Sequence, residues 1–208
     1  MRNLALPWLV IGGGTLAGLA LSGRTAAAAA RPAPPPVLAG TWVWPMPTFR
    51  GRAPVVSSGW GSPRDGGERR HRGVDVMFKR AHREEFVAEF PPGTPDGSKG
   101  YFVPPGTVAV AASDGRIWSA GWAPGGYAVV IDHGKPWATY YAHLASLQVT
   151  AGDRVRAGQP LGVVGADPLD AQELRHLHFA LWYGGAGDSA IDPEPVMRAW
   201  RVVEVRDV

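Results

Sequence analysis

Two short segments of this 208-residue chain carry side chains suited to binding a metal ion. One is His176-Leu177-His178-Phe179; the other, far upstream, is His71-Arg72-Gly73-Val74-Asp75. Together they offer four nitrogen or oxygen donors of the zinc-ligand type. In an extended strand residues i and i+2 project to the same face, so His176 and His178 are expected to enter one pocket together. His71 and Asp75 share parity in the same way. Gly73 between them, and the β-branched Val74 and Val76 around Asp75, favour extended chain over a helical i, i+4 pair. Three protein ligands with one position left for water is the arrangement of a catalytic zinc, whereas structural zinc takes four ligands rich in cysteine. This chain has no cysteine. A tightly held zinc would therefore rest on histidine and carboxylate, which favours a hydrolytic site over a structural one.

The elements that must position these residues read mostly as strands. Short β-branched or aromatic runs at 108–111, 116–120, 127–132, 138–143, 161–164 and 177–183 are separated by Gly, Pro and Asp turns. Helical periodicity is confined to a weak stretch at 81–89 and a terminal turn at 193–200 that begins with a proline. The expected fold is mainly β, one antiparallel sheet domain with little helix.

The remainder of the chain bounds its setting. Met1-Arg2-Asn3 is followed by an uncharged run over residues 4–21 and by small residues at 26–30, the pattern of an export signal over residues 1–30. At about 18 residues that run also reaches bilayer-spanning length, so an uncleaved N-terminal membrane anchor is the alternative. Residues 31–44 form a Pro/Ala-rich linker, leaving 45–208 as one domain large enough for a real core. Without Arg2 and Arg24, the 21 basic and 18 acidic residues nearly balance, and no nucleic-acid footprint is present.

At the level of motifs the chain resembles the M23 family of zinc metallopeptidases, the lysostaphin or LytM type, which cleave peptide bonds in bacterial peptidoglycan. The matching pieces include Ser57-Ser58-Gly59-Trp60-Gly61, His71 to Asp75, Val103-Pro104-Pro105-Gly106-Thr107, Ala112-Ser113-Asp114-Gly115 and Ile131-Asp132-His133-Gly134. They continue through Thr139-Tyr140-Tyr141-Ala142-His143-Leu144 and Gly152 to Gly165, and end at His176-Leu177-His178-Phe179 and Asp192-Pro193. Their order and spacing follow the family, although any single piece would be weak.

The resemblance implies an antiparallel sheet related to the barrel-sandwich hybrid, one Zn2+ per chain, and His71, Asp75 and His178 as its ligands. His143 and His176 are then the catalytic, non-ligand histidines. One takes a proton from water and the other stabilises the oxyanion. It further implies a periplasmic, cell-envelope or secreted enzyme with peptidoglycan as its partner. A diderm periplasm favours D-alanine to diaminopimelate cross-links over glycine bridges.

Other residues invite weaker expectations. His82 and His133 read as surface or hydrogen-bonded histidines, the latter in a hairpin turn before Gly134. Arg69, Arg70 and Arg72 form a solvated cluster whose functional reading is attraction of stem-peptide carboxylates. Trp60, Trp118 and Trp182 are candidates to line a cleft. Two departures from the family are visible. An insertion at about 77–102 suggests a lid or specificity loop. The segment 167–175 replaces the Gly/Ser/Thr-rich turn that usually precedes the His-x-His strand.

Two other classes of function compete. A LytM-like module that only activates other wall hydrolases would not need all five site positions. A biotinyl-type carrier is suggested by residues 152–161, yet no lysine stands at the turn where a prosthetic group attaches.

Overall fold

A computed structural model describes residues 42–80, 100–169, 174–187 and 189–204. The segment read as an export signal, most of the expected linker, His82 with the stretch read as helical at 81–89, and residues 170–173 lie outside them. The strands are β1 (Val55–Ser58), β2 (Pro63–Arg64), β3 (Arg69–Arg70), β4 (Val74–Lys79), β5 (Tyr101–Phe102), β6 (Val108–Val110) and β7 (Gly115–Ala123). They continue as β8 (Gly126–Asp132), β9 (Trp137–Leu147), β10 (Arg154–Val155), β11 (Pro160–Val164), β12 (Leu177–Tyr183) and β13 (Ser189–Ile191), followed by one short helix, α1 (Glu194–Met197). Each strand expected from the sequence is present, most of them longer by a residue or more than the β-branched run that announced it.

An 11-stranded sheet runs β1-β4-β12-β9-β8-β7-β10, with β5, β6, β11 and β13 joined at its margins; β2 and β3 make a separate hairpin. The paired strands are antiparallel. The mainly β, single-sheet expectation therefore holds.

The two faces of the central strands differ because side chains alternate. Leu177, Phe179 and Leu181 of β12, with Val74, Val76 and Phe78 of β4, are fully buried. Phe179 stands opposite both Val74 and Tyr141, so these residues pack on one side. Each large apolar side chain buried there contributes about 1.5–3 kcal/mol. The opposite side carries Asp75, His178, Ala142, Tyr140 and Trp182.

Trp42 and Val43, at the edge of the linker expectation, are already built into the domain. Val43 donates to the Ala112 carbonyl at 2.8 Å and bridges Arg201, while Trp42 stacks on Trp200 with ring centroids 5.1 Å apart. The ends of the insertion are also structural. Phe78 pairs with Phe102 and Lys79 with Tyr101, and the Arg80 N–H donates to Gly100 O at 3.0 Å. Met77, Phe78 and Phe102 belong to the core, so both ends of the expected insertion are built into the domain.

Candidate metal centre

The pairing of β4 with β12 sets Asp75 directly opposite His178. His71 arrives by a different route from the one its parity suggested. It lies in the bend between β3 and β4, not in an extended run with Asp75, because its main chain is tied to the segment before β2. The His71 N–H donates to Ser62 O, and His71 O accepts from the Gly61 N–H, both at 2.9 Å. Gly73 then lets the chain pass close beneath β12. A Cβ there would lie 2.5 Å from Phe179 O and 2.8 Å from His178 Cε1, closer than a side chain tolerates.

His71, Asp75 and His178 each offer one donor atom, and those atoms lie within 4.8 Å of one another. His71 Nε2 is 2.9 Å from His178 Nδ1 and 3.1 Å from Asp75 Oδ1, and His178 Nδ1 is 3.3 Å from the same oxygen. Gly59 O, 3.1 Å from His71 Nδ1, accepts a hydrogen bond from the N–H there and leaves Nε2 as a lone-pair donor toward the cluster. His71 and Asp75 are buried. Burial by itself would raise the Asp75 carboxyl, but the neighbouring imidazoles of His178, His71 and His176 outweigh it. The carboxyl is held far below the usual carboxylate range. Two imidazoles and an ionised carboxylate without cysteine suit zinc, and their convergence in a buried pocket fits that ion.

The other two histidines stand beside this trio. The His176 ring lies 4.6 Å from that of His143, and His176 Nε2 is 3.9 Å from Asp75 Oδ1. Each has Nδ1 against a main-chain carbonyl: Leu174 O at 2.9 Å for His176 and Gly125 O at 2.7 Å for His143. His176 thereby turns Nε2 toward Asp75, and the His143 ring lies 5.9 Å from that of His178. His143 sits where β8 and β9 change register, between the pairs Tyr127–Leu144 and Val129–Tyr141, and has φ of 61°. A bulge in left-handed conformation re-aims this side chain out of the strand's alternation. Burial, and next the charge of His176, push the His143 imidazole below its ordinary value, against the Gly125 carbonyl and Asp167.

The remaining expectations divide. His133 is a hydrogen-bonded turn residue, with Nδ1 2.7 Å from Asp114 O and Nε2 2.7 Å from Thr139 Oγ1. Trp182 stacks on Tyr140 at 5.4 Å, and Tyr140 in turn meets the His178 ring at 5.9 Å. Trp60 lies at the margin, its N–H on Glu194 Oε1 at 3.2 Å. Trp118 does not join them; it is exposed in a hollow with Arg116, Asp132 and Gly152 that shares no residue with the histidine cluster. Arg69 is paired with Asp65, and Arg70 reaches Gly61 O at 3.5 Å, so two of the three clustered arginines are engaged within their own hairpin. In the unusual turn, Asp167 Oδ2 comes within 3.9 Å of His143 Nδ1.

Sequence reasoning missed Tyr140 and Arg64. Tyr140 was legible as a residue two before Ala142, on the face opposite Tyr141. Arg64 bonds Asp75 through Nη2 to Oδ2, and nothing in its spacing announces this.

Comparison with known proteins agrees with this geometry. The profile described as Peptidase family M23 matches residues 98–193, a stretch that includes His143, His176 and His178 and leaves His71 and Asp75 upstream. The chain is 37% identical over 91 residues to the murein hydrolase activator EnvC of Escherichia coli, covering 43% of this chain and 20% of EnvC. It is 33% identical over 103 residues to the glycyl-glycine endopeptidase ALE-1 of Staphylococcus capitis, covering 48% of this chain and 28% of that protein. It thus spans well under a third of either relative. Among solved structures, the catalytic domain of the antimicrobial peptidase lysostaphin from Staphylococcus simulans superimposes with a TM-score of 0.50 at 26% identity, covering 71% of this chain and 92% of that one. In its motifs, sheet and sequence matches, the chain is similar to peptidase family M23 of the lysostaphin and LytM type.

Proposed function

We propose that the protein is an exported zinc metalloendopeptidase that hydrolyses peptide bonds in peptidoglycan cross-links or stem peptides. The observation that carries this reading is the convergence of His71, Asp75 and His178 with two further histidines whose rings stand beside them. His71 through Nε2, His178 through Nδ1 and Asp75 through Oδ1 would hold one zinc ion. Bound there, zinc supplies Lewis-acid polarisation of a carbonyl and an acidified water.

The chain's own residues do the rest. His143 and His176 are each held at Nδ1 by a main-chain carbonyl, which orients their rings for an entering substrate. One accepts the proton of the attacking water, and the other donates to the oxyanion as the scissile carbonyl becomes tetrahedral. Tyr140 and Trp182 extend the same sheet face beyond His178 and give the cleft an apolar floor. A lid or specificity role for the insertion, whose flanking residues Arg80 and Gly100 are hydrogen-bonded, belongs to the same proposal. Activity in the cell envelope, with export or anchoring through residues 4–21, belongs to the same proposal.

A second reading is a non-catalytic activator of other wall hydrolases, favoured by the match to EnvC. Retention of five site residues in working geometry weighs against it. The test is elemental analysis for zinc together with digestion of purified sacculi by wild type and His176→Ala. The expected result is one zinc per chain in both proteins, new peptide termini with wild type, and a loss of at least about 100-fold in the variant. A protein that binds no zinc and leaves sacculi intact would transfer the assignment to the activator.

A further inference from the structure

The two oxygens of Asp75 have different partners. Oδ1 faces His71 Nε2 at 3.1 Å, His178 Nδ1 at 3.3 Å and His176 Nε2 at 3.9 Å, the side on which the donors converge. Oδ2 is taken by the guanidinium of Arg64. Arg64 comes from β2, whose hairpin with β3 pairs it with Arg69. The same hairpin holds His71, through the bonds from His71 N–H to Ser62 O and from Gly61 N–H to His71 O. One small element therefore fixes a ligand's backbone and the second oxygen of another ligand. The Arg64 side chain is 36% exposed and that of Asp75 only 12%, so the guanidinium reaches inward from the rim to the buried carboxylate.

We infer that Arg64 is a positioning residue that confines Asp75 to metal binding through Oδ1 alone; this rests on the zinc reading above. A carboxylate can grip a metal with one oxygen or two. A charge-assisted hydrogen bond on Oδ2 removes the second oxygen from that choice and fixes the plane of the carboxylate. Confinement to three protein donor atoms leaves room in the coordination shell for water and substrate. Arginine suits the task because its planar, permanently charged fork holds direction as well as charge. Two effects oppose each other in affinity: the guanidinium repels a divalent cation, while orientation of the ligand favours it. Outer partners of metal ligands are typically worth 10–100-fold, so orientation is expected to win.

The experiment uses the full chain as wild type, Arg64→Met and Arg64→Lys, each loaded with Co2+ for visible absorption and titrated with Zn2+ against a chromophoric chelator. Arg64→Met removes both donor and charge. It is expected to keep the wild-type thermal unfolding of the metal-free protein, to lose at least half of the Co2+ ligand-field absorption as Asp75 turns bidentate, and to bind Zn2+ about tenfold more weakly. Arg64→Lys restores a donor and a charge, and it should recover most of the absorption. The inference is overturned if a folded Arg64→Met gives the wild-type Co2+ spectrum, if it binds Zn2+ more tightly, or if Arg64→Lys behaves as the methionine variant does. Wild type that binds neither metal would instead defeat the zinc reading, and this inference with it.

Discussion

The close passage of Gly73 beneath β12 yields a prediction whose size can be worked from distances. In Gly73→Ala the new Cβ would stand 2.5 Å from Phe179 O, 2.8 Å from His178 Cε1 and 2.9 Å from His178 Nε2. Ordinary contact would require an opening of about 1 Å against the carbonyl, and that carbonyl is held by the Phe179–Val74 pairing. If the backbone yields, the cost is that of overpacking, about 1–3 kcal/mol. For a domain of this size each kcal/mol lowers Tm by about 2–4 °C, so the expected fall is about 2–12 °C. If the imidazole yields instead, stability is spared and the metal loses a correctly placed ligand. Calorimetry of zinc-loaded and chelator-stripped protein separates the two, because zinc raises Tm only in proportion to its hold on the folded state. The expected outcome is a lower Tm in the stripped protein, a smaller zinc-induced rise, or both. Gly121→Ala is the control, since a Cβ there meets nothing within 4 Å. A Gly73→Ala protein that matched wild type in both measurements would refute the steric account of this glycine.

Tyr141→Phe should destabilise the protein by about 1–3 kcal/mol without touching the metal, because the buried hydroxyl accepts from the Ala112 N–H at 2.8 Å and that donor would be left unpaired; denaturant unfolding measures it. His133, held between Asp114 O and Thr139 Oγ1, has its imidazole lowered chiefly by burial, against the pull of Asp114 and Asp132. Its folded pKa lies below the unfolded value of about 6.5, so the stability tied to neutral His133 is present above that pH and is lost as pH falls through it toward the folded value. The Tm advantage of wild type over His133→Gln should therefore shrink from pH 7.5 to pH 5; a constant difference would contradict this. Replacement of residues 81–99 by a short Gly-Asn turn should leave a folded, zinc-binding protein with altered substrate range, since the ends are already paired at Arg80 and Gly100. Unfolding on replacement would show the segment to be part of the core.

Local covalent geometry made much of this protein readable. Alternation along Leu177–Tyr183 assigns Leu177, Phe179 and Leu181 to the core and His178 to the other face, and the structure agrees. The donor types of His71, Asp75 and His178, with no cysteine, gave the expectation of a metal site, and the structure brings the three together. The same rule failed at His71, where hydrogen bonds to Gly61 and Ser62 override the expected extension. It also missed the bulge at His143 and the pairing of Phe78 with Phe102 across β4 and β5.

What the sequence determined by itself is therefore which residue types were available and which side of a strand each would take. The tertiary structure alone decided that Asp75 meets His178 across the β4–β12 register, that Arg64 takes the second oxygen of Asp75, and that main-chain carbonyls of Gly59, Gly125 and Leu174 engage the Nδ1 atoms of His71, His143 and His176. The physical reason is range. Side-chain alternation follows from neighbouring backbone angles, whereas register and loop approach are set by packing among residues a hundred positions apart, as with His71 and His178.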